Sequence, residues 1–286
     1  MKNAGFFLAY LFLVSGLSAQ SGWTREPGQG YIKAGALSFA SAQYYNLAGD
    51  LLTTSQFRQQ ALSLYGEYGL SERFTVIGSF PLLKINSFET TEAVAGIGDL
   101  HAELKYALLK GGFPVSLSIA PELPTGSWNN YAQNKMTSFE RINLPTGDGE
   151  LNVWGTLAAS HSFYPFPAYV SVYGAFNYRT GFSGNSFRNQ FKTGVEVGYQ
   201  VKGKLWLNAR LAAQKTLGQP GAPVDFIRGD GTEYTSWGFG AAYSISSKIS
   251  ATLEYQNYSD IVFARKNLYS GHVISVGASY EWKREE

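Results

Sequence analysis

The sequence contains no cysteine and few charged residues. None of the 286 residues is Cys, which excludes structural disulfides, thiolate metal sites, Cys nucleophiles and the lipid-modified cysteine of a lipoprotein anchor. Asp, Glu, Lys and Arg make up 15% of the chain, against about 25% in an average soluble domain. The formal net charge of +2 is too small to indicate nucleic acid or another polyanion as a partner.

Long apolar runs are also missing after residue 19. The first three residues, Met1–Asn3, are short and basic, residues 4–14 are apolar, and small residues lead up to Ala19. This order is typical of a secretory signal peptide, and the apolar run is shorter than the roughly 20 residues of a membrane-spanning helix. We therefore predict a signal peptide over residues 1–19, cleaved near Ala19, and one barrel domain over residues 20–286. A short membrane anchor is the alternative.

Aromatic residues and glycine are abundant where charge is scarce. Phe, Trp and Tyr make up 15% of the chain, Gly contributes 32 residues, and the hydrophobic fraction is 44%. Few charges, many aromatic residues and a middling hydrophobic content are typical of a β-barrel with one lipid-facing and one polar face.

The strongest pattern is an alternation of apolar and polar residues. In residues 99–108, Leu100 and Leu104 share one strand face, whereas Glu103 and Lys105 share the other. A helix would distribute these charges around its axis, so this segment is predicted to be a strand. The first of the predicted strands has mixed faces. Twelve segments are predicted to be strands on this pattern: 30–39, 57–70, 74–82, 99–108, 115–119, 151–157, 170–179, 192–200, 205–214, 236–245, 249–256 and 272–282.

The connections between these segments alternate between short and long. Short turns lie at 71–73, 110–112, 164–167, 202–204 and 246–248, and longer loops at 40–56, 83–96, 124–149, 181–190, 216–231 and 257–270. This indicates an all-β fold: a single antiparallel transmembrane β-barrel of about 12 strands, with short periplasmic turns and longer extracellular loops. A soluble β-sandwich also alternates and is the structural alternative. Its usual strands of about 5–6 residues are shorter than these.

Charged residues on the polar strand faces are the candidate functional residues. They are predicted to line the lumen: Glu67, Asp99, His101, Glu103, Lys105, Arg179, Lys192, Glu196, Arg210 and Glu254. Two interpretations stay open. Buried charges persist when they pair, which would fill the lumen with a structural plug. Alternatively, the same residues form a polar pathway for small solutes.

An enzymatic barrel is the other functional class. His101 lies on one strand face with Asp99 and Glu103, a grouping with acid–base potential. His161 precedes Ser162, but successive strand residues face opposite sides. The sequence contains no HExxH motif and no esterase elbow, although the acidic turns 147–150 and 229–231 leave Ca²⁺ binding open. We predict no enzyme activity, no cofactor and no metal site. A structural or adhesive barrel is the third class.

Several local motifs carry a family resemblance. They are the strand–turn–strand unit 68–82, the run 96–106 that begins Gly96-Ile97-Gly98-Asp99-Leu100, and the run Pro121–Gly126. Residues 60–130 resemble the outer-membrane channel family named for the phenol meta-cleavage pathway (MetA-pathway of phenol degradation), which is distantly similar to long-chain fatty-acid transporter barrels. The resemblance implies passage of small, often hydrophobic compounds across the outer membrane. Residues 20–29 are too few for the full N-terminal hatch of those transporters.

The last predicted strand ends in aromatic residues. Tyr280 and Trp282 share its apolar face, before a charged tail over residues 283–286. This ending resembles the signal that the barrel assembly machinery recognises. The expected surroundings are outer-membrane lipid and lipopolysaccharide. The expected function is an outer-membrane channel or transporter for small, hydrophobic or aromatic solutes that pass by diffusion.

Overall fold

The computed structural model describes residues 20–137, 139–218 and 230–283. The predicted signal peptide, residues 1–19, lies outside these ranges, as does the end of the charged tail from residue 284. No helix capable of crossing a membrane is found in the three described ranges.

The regular structure of these ranges consists of β-strands. Twelve long strands are β1 (Gly30–Tyr45), β2 (Leu51–Gly69), β3 (Phe74–Phe88), β5 (Leu100–Leu109), β6 (Val115–Leu123), β9 (Asn152–Ser162), β10 (Ala168–Arg179), β11 (Gln190–Val201), β12 (Leu205–Thr216), β13 (Tyr234–Ser244), β14 (Ile249–Ser259) and β16 (His272–Trp282). Four short strands are β4 (Val94–Gly96), β7 (Tyr131–Gln133), β8 (Arg141–Asn143) and β15 (Leu268–Tyr269).

The twelve long strands close into one antiparallel barrel. Each pairs with its neighbour along the chain, and β1 pairs with both β2 and β16. Gly30 therefore lies between Tyr68 on one side and Trp282 on the other. Closure leaves no long strand with an unpaired edge, as a membrane-spanning sheet requires. The predicted fold is confirmed, including the first strand, whose faces had looked mixed.

The two ends of the barrel differ in their connections. At one end, called here the short-turn end, the strands are joined through residues 70–73, 110–114, 163–167, 202–204 and 245–248. Gly30 and Trp282 also lie at this end. The opposite end, called the long-loop end, carries the longer connections, including the separate β7–β8 hairpin. The alternation of short and long connections follows the prediction except between β1 and β2, where residues 46–50 form a connection as short as the turns at 110–114 and 163–167.

Strands β1, β2 and β3 are longer than predicted. They have 16, 19 and 15 residues, against about 9–11 needed to cross the membrane core. The predicted loops 40–56 and 83–96 were therefore wrong in part. The extension of β2 is rich in Ser, Thr and Gln. The pairing of β2 thus continues beyond the part of the barrel that crosses the membrane core, and there both faces of the strand can carry polar residues.

The outer face of the barrel is apolar. Leu117 is 49% exposed, Leu157 53% and Leu253 52%, whereas the inward neighbours Ser116 and Thr252 are buried. Soluble proteins rarely expose such large continuous apolar surface, so hydrocarbon is the matching solvent. The soluble β-sandwich alternative is therefore wrong.

Candidate functional site in the barrel interior

Residues 20–29 cross the lumen near the short-turn end; they are called here the crossing segment. Its Gly22 N–H donates to Ser160 Oγ of β9 at 2.9 Å. At its other end, Gly28 N–H donates to the carbonyl of Gly69, the last residue of β2, at 2.9 Å. Since β9 and β2 lie in different parts of the wall, the segment spans the interior.

Trp23 is the apolar centre of the crossing segment. Its ring lies edge-on to Tyr169 of β10, with centroids 5.7 Å apart. The indole packs against two buried clusters from separate parts of the wall: Tyr31, Tyr65 and Ile77 on β1–β3, and Tyr169, Trp206 and Ala242 on β10, β12 and β13. One side chain thus joins distant parts of the barrel wall.

Arg25 is the charged anchor of the same segment. Its Nε lies 2.7 Å from Glu67 Oε2 on β2, and its Nη1 lies 2.7 Å from Glu281 Oε1 on β16. Tyr65 Oη also donates to Glu67, at 2.6 Å. The two carboxylates flank β1, so Arg25 bridges the strands on both sides of it. Sequence reasoning selected Glu67 but missed Arg25 and Glu281.

A second group of charges lies farther into the barrel. Lys33 Nζ of β1 is 2.5 Å from Glu254 Oε1 of β14, and Arg210 Nη2 of β12 is 3.3 Å from Glu254 Oε2. One carboxylate is therefore shared between two cations. The structure brings the predicted residues Arg210 and Glu254 together, and it adds Lys33, which the mixed pattern of β1 concealed.

On β5, the predicted residues follow one inward face. His101 Nε2 lies 3.6 Å from Glu103 Oε2. Glu103 and Lys105 are buried. The strand therefore positions alternating charges inside the barrel, next to the wall formed by β3 and β6.

Predicted Arg179 belongs to a third group at the long-loop end. It forms an ion pair with Glu150, and its Nη1 lies 3.8 Å from Asp230 Oδ1. Arg188 Nη2 lies 3.0 Å from the other oxygen of Asp230. Burial raises the pKa of Glu150, and Arg179 opposes that increase. These contacts attach two loops to the end of β10.

Predicted Asp99 organises the loop between β6 and β9. It directly precedes β5, and its two carboxylate oxygens accept the backbone N–H groups of Gly126 at 2.9 Å and Asp148 at 2.7 Å. Burial raises the pKa of Asp148 to about 7, with a further contribution from the Glu122 carboxylate. Asp99 thus holds in place a loop that carries its own titratable group.

The remaining two predicted residues lie on β11. Glu196 accepts a hydrogen bond from Tyr169 Oη at 2.6 Å. Lys192 is half-buried and has no ion pair within the described part of the chain. Ion pairs or hydrogen bonds thus engage most of the predicted residues with other wall or loop residues. Their role as the lining of a solute path stays a prediction.

A cavity of about 470 Å³ lies inside the barrel. Its polar lining includes Lys33, Arg210 and Glu254, and loop residue Asp148 also faces it. Much of the remaining wall is apolar or aromatic: Leu37, Phe39, Phe57, Leu268, Tyr269 and Val273. The rings of Phe57 and Tyr269 lie 5.2 Å apart. Sequence reasoning did not single out these aromatic residues, since an inward Phe on a mostly polar face looks like an irregularity.

The three histidines do not form a catalytic arrangement with one another. His161 is on the outer face, where it stacks on Phe113 at 5.4 Å, and His272 Nδ1 lies 2.5 Å from Tyr255 Oη at the opposite end of the wall. Within residues 20–137, 139–218 and 230–283, no group of three or more His, Asp or Glu residues could hold a metal ion.

Comparisons with known proteins place the fold. No family model matches the sequence, and no curated protein sequence matches it. The COG4313 outer membrane channel from Pseudomonas putida F1 superposes with a TM-score of 0.68 at 14% identity, over 93% of this chain and 100% of that one. The translocator domain of autotransporter NalP from Neisseria meningitidis gives 0.55 at 13% identity, over 90% of both chains. The NanC porin gives 0.54 at 12%, over 87% and 100%. At identities this low, the superpositions show the fold and not the family. The family suggested by the sequence motifs therefore stays a prediction. The chain has the fold of outer-membrane β-barrels.

Proposed function

We propose that this chain is an outer-membrane channel that passes small, largely apolar solutes, including aromatic compounds. The observation that carries the proposal is the cavity of about 470 Å³ inside the barrel. Ligand sites are concave and mostly apolar, with a few polar groups that orient the ligand. The exposed wall of the cavity is more apolar than polar, and charged side chains such as Lys84 and Asp148 line it as well.

The chemistry of the wall favours apolar solutes over sugars or ions. Phe39 and Tyr269 are half-buried and supply apolar ring surface to the cavity, and the buried ring of Phe57 packs against both of them. At the short-turn end, Trp23 and Arg25 occupy the lumen. A wide aqueous pore would need an unobstructed polar path, and the crossing segment obstructs it.

The comparison supports a channel role at the level of the fold. The COG4313 protein shares this barrel and is named an outer membrane channel. Passage of solutes by diffusion is our inference for this chain. We also propose a non-enzymatic role, since the COG4313 protein and NanC, which share this barrel, are named a channel and a porin.

The same proposal includes location and assembly. The apolar outer face would lie among outer-membrane lipids and lipopolysaccharide, with the short-turn end toward the periplasm. We also propose cleavage of the signal peptide near Ala19. Recognition by the barrel assembly machinery would use β16, which ends with Tyr280 and Trp282 on its outer face.

A structural barrel with a permanently filled lumen is the second candidate function. The ion pairs of Arg25 with Glu67 and Glu281 favour it, because they fix the crossing segment to two strands at once. The two candidates differ in a measurable way, since a filled barrel conducts no solute.

Uptake of N-phenylnaphthylamine into cells tests the proposal. An intact lipopolysaccharide layer slows the entry of this apolar aromatic dye, which fluoresces once inside. Cells that produce the wild-type protein should take it up faster than cells without it. Ser63→Trp should abolish the gain because Ser63 faces the cavity. The matched control, Leu62→Trp, should not, since Leu62 is 45% exposed on the outer face.

Liposomes carrying the refolded protein provide the second measurement. Rapid entry of a small sugar would contradict selection for apolar solutes and indicate an aqueous lumen. No gain for either probe, with the barrel folded as judged by heat-modifiable gel mobility, would favour the structural barrel.

A further inference from the structure

The rim of the short-turn end is charged asymmetrically. Lys202 and Lys204 lie in the turn between β11 and β12, and Lys248 lies in the turn between β13 and β14. All three side chains are exposed. None forms an ion pair with another residue of the described ranges. These residues are called here the lysine patch.

The patch is continuous, because its two turns are neighbours in the barrel. β12 pairs with β13, so Leu205 faces Tyr243. The backbone N–H of Ser244 donates to the carbonyl of Lys204 at 2.9 Å. The three ammonium groups therefore belong to adjacent points on one arc of the rim. The two turns themselves carry no acidic residue.

The other half of the rim lacks this excess of charge. Lys110, in the turn between β5 and β6, pairs with Glu72 at 2.8 Å. Arg73 donates from Nη1 to the carbonyl of Ala107 at 3.2 Å. The turn at residues 163–167 has no charged residue at all. If every turn of this rim needed a cation, both halves would carry unpaired lysines. Only one half does.

The lysine patch adjoins the lipid-facing surface. Tyr243, Ile245 and Ile249 are 51%, 63% and 43% exposed, and they neighbour the patch in sequence. Tyr199, at the end of β11, is 44% exposed. Aromatic and aliphatic side chains next to lysines form an interfacial arrangement in which the apolar part contacts acyl chains and the ammonium reaches the headgroup layer.

From this arrangement we infer that the lysine patch binds the headgroups of anionic phospholipids in the periplasmic leaflet. Basic residues near a membrane surface attract anionic lipid, and the attraction adds with each residue. A zwitterionic headgroup has no net charge, so it would leave the charge of these three ammonium groups uncompensated, whereas an anionic headgroup would offset it. The inference rests on the proposed outer-membrane location and not on the solute that passes.

Lipid association measured by electron spin resonance tests the inference. The folded protein is reconstituted in phosphatidylcholine vesicles containing spin-labelled phosphatidylglycerol or spin-labelled phosphatidylcholine. At low salt, we expect the wild-type barrel to associate about threefold more strongly with labelled phosphatidylglycerol than with labelled phosphatidylcholine. At 1 M salt the preference should approach unity, because the Debye length falls to about 3 Å.

Two variants separate the patch from general surface charge. The triple variant Lys202→Gln, Lys204→Gln, Lys248→Gln should lose most of the preference. The matched control, Lys110→Gln on the opposite arc, should keep it. Heat-modifiable gel mobility establishes that each barrel is folded, so a lost preference cannot reflect a lost fold.

The inference is overturned if the folded wild-type protein associates equally with both lipids, or if the triple variant keeps the wild-type preference. None of these results bears on dye uptake, so this inference and the proposed function can fail separately.

Discussion

Buried charged residues inside this barrel are arranged in small shared groups rather than simple pairs. Glu254 serves two cations, Lys33 and Arg210, and Arg25 serves two carboxylates. Removing water from a charge is costly unless partners replace the water. Sharing lets one residue connect several strands, so each charge also acts as a cross-link within the wall.

Asp148 gives the protein a pH-dependent stability. Its pKa is raised to about 7 from the ordinary 3.8. The folded state therefore keeps a proton that the unfolded chain has already lost, and stability falls as pH rises from about 4 to about 7. Asp148→Asn should remove this fall and stabilise the protein at pH 8 by about 1–2 kcal/mol. Urea unfolding in lipid at pH 4.5 and pH 8 measures the difference.

Asp260 is the matched control with the opposite sign. Its hydrogen bonds to Arg265 lower its pKa, so its contribution is present at neutral pH and is lost as pH falls through the lowered pKa. Asp260→Asn should lower stability slightly at pH 8, because it removes one partner of a largely exposed ion pair. A stabilising effect of Asp260→Asn equal to that of Asp148→Asn would contradict the assignment of the pH dependence to Asp148.

At the scale of elements, alternation in the sequence predicts most of the strands. Residues 99–108 alternate clearly because β5 has lipid on one face and buried charges on the other. The sequence predicts loop for the extensions of β1 to Tyr45 and of β2 from Leu51, which the structure shows as strand. Beyond the apolar belt both faces meet polar surroundings, so pairing continues without a periodic pattern.

The crossing segment could not be found from the sequence. Arg25 lies 42 residues from Glu67 and 256 residues from Glu281, and ten irregular residues carry no period that reports such partners. Lys33 was missed for a related reason. The alternation on β1 is weakened by small residues on its outer face, such as Ala34 and Ala36, so its inward charge did not stand out.

Loss of the Arg25 anchor should open the short-turn end. Arg25→Gln removes the cation that bridges the buried carboxylates of Glu67 and Glu281, and breaking such a pair costs about 3–5 kcal/mol. The least costly response is release of residues 20–29, because the strands are held by their ladders. Planar-bilayer recordings should show a severalfold higher mean conductance than for the wild-type protein.

The matched control for that experiment is Lys110→Gln. It removes an exposed ion pair at the same end of the barrel, and such pairs contribute little to stability. Its conductance should equal that of the wild-type protein. Unchanged conductance in the folded Arg25→Gln barrel would show that the crossing segment stays in place without its ion pairs.

As a whole, the molecule reverses the distribution of polarity found in soluble proteins. Polar residues such as Thr75, Asn86 and Ser116 are buried, whereas Leu157 and Phe239 are exposed. The reversal requires closure, since an open edge would leave backbone groups unpaired in hydrocarbon. The pairing of β1 with β16 therefore determines whether the outer face can be apolar at all.

A charge on the outer face should destabilise the whole barrel in the membrane. Leu157, in the middle of β9, is 53% exposed on that face. Leu157→Arg should cost about 2–4 kcal/mol near the bilayer centre, measured by urea unfolding in lipid vesicles. The control Phe139→Arg, in a loop where Phe139 is 96% exposed, should have little effect. Equal stabilities of the two variants would contradict the placement of β9 in the membrane.

The path of the crossing segment has a mechanical consequence. Its contacts lie in sequence along the chain, from Gly22 on β9, through Trp23, to Arg25 between β2 and β16. A pull on the N-terminal end, directed out of the short-turn end, would load these contacts one after another. Peeling of this kind needs less force than shearing them all together. A force in this direction would therefore detach residues 20–29 from the wall at low cost. The twelve paired strands would stay intact.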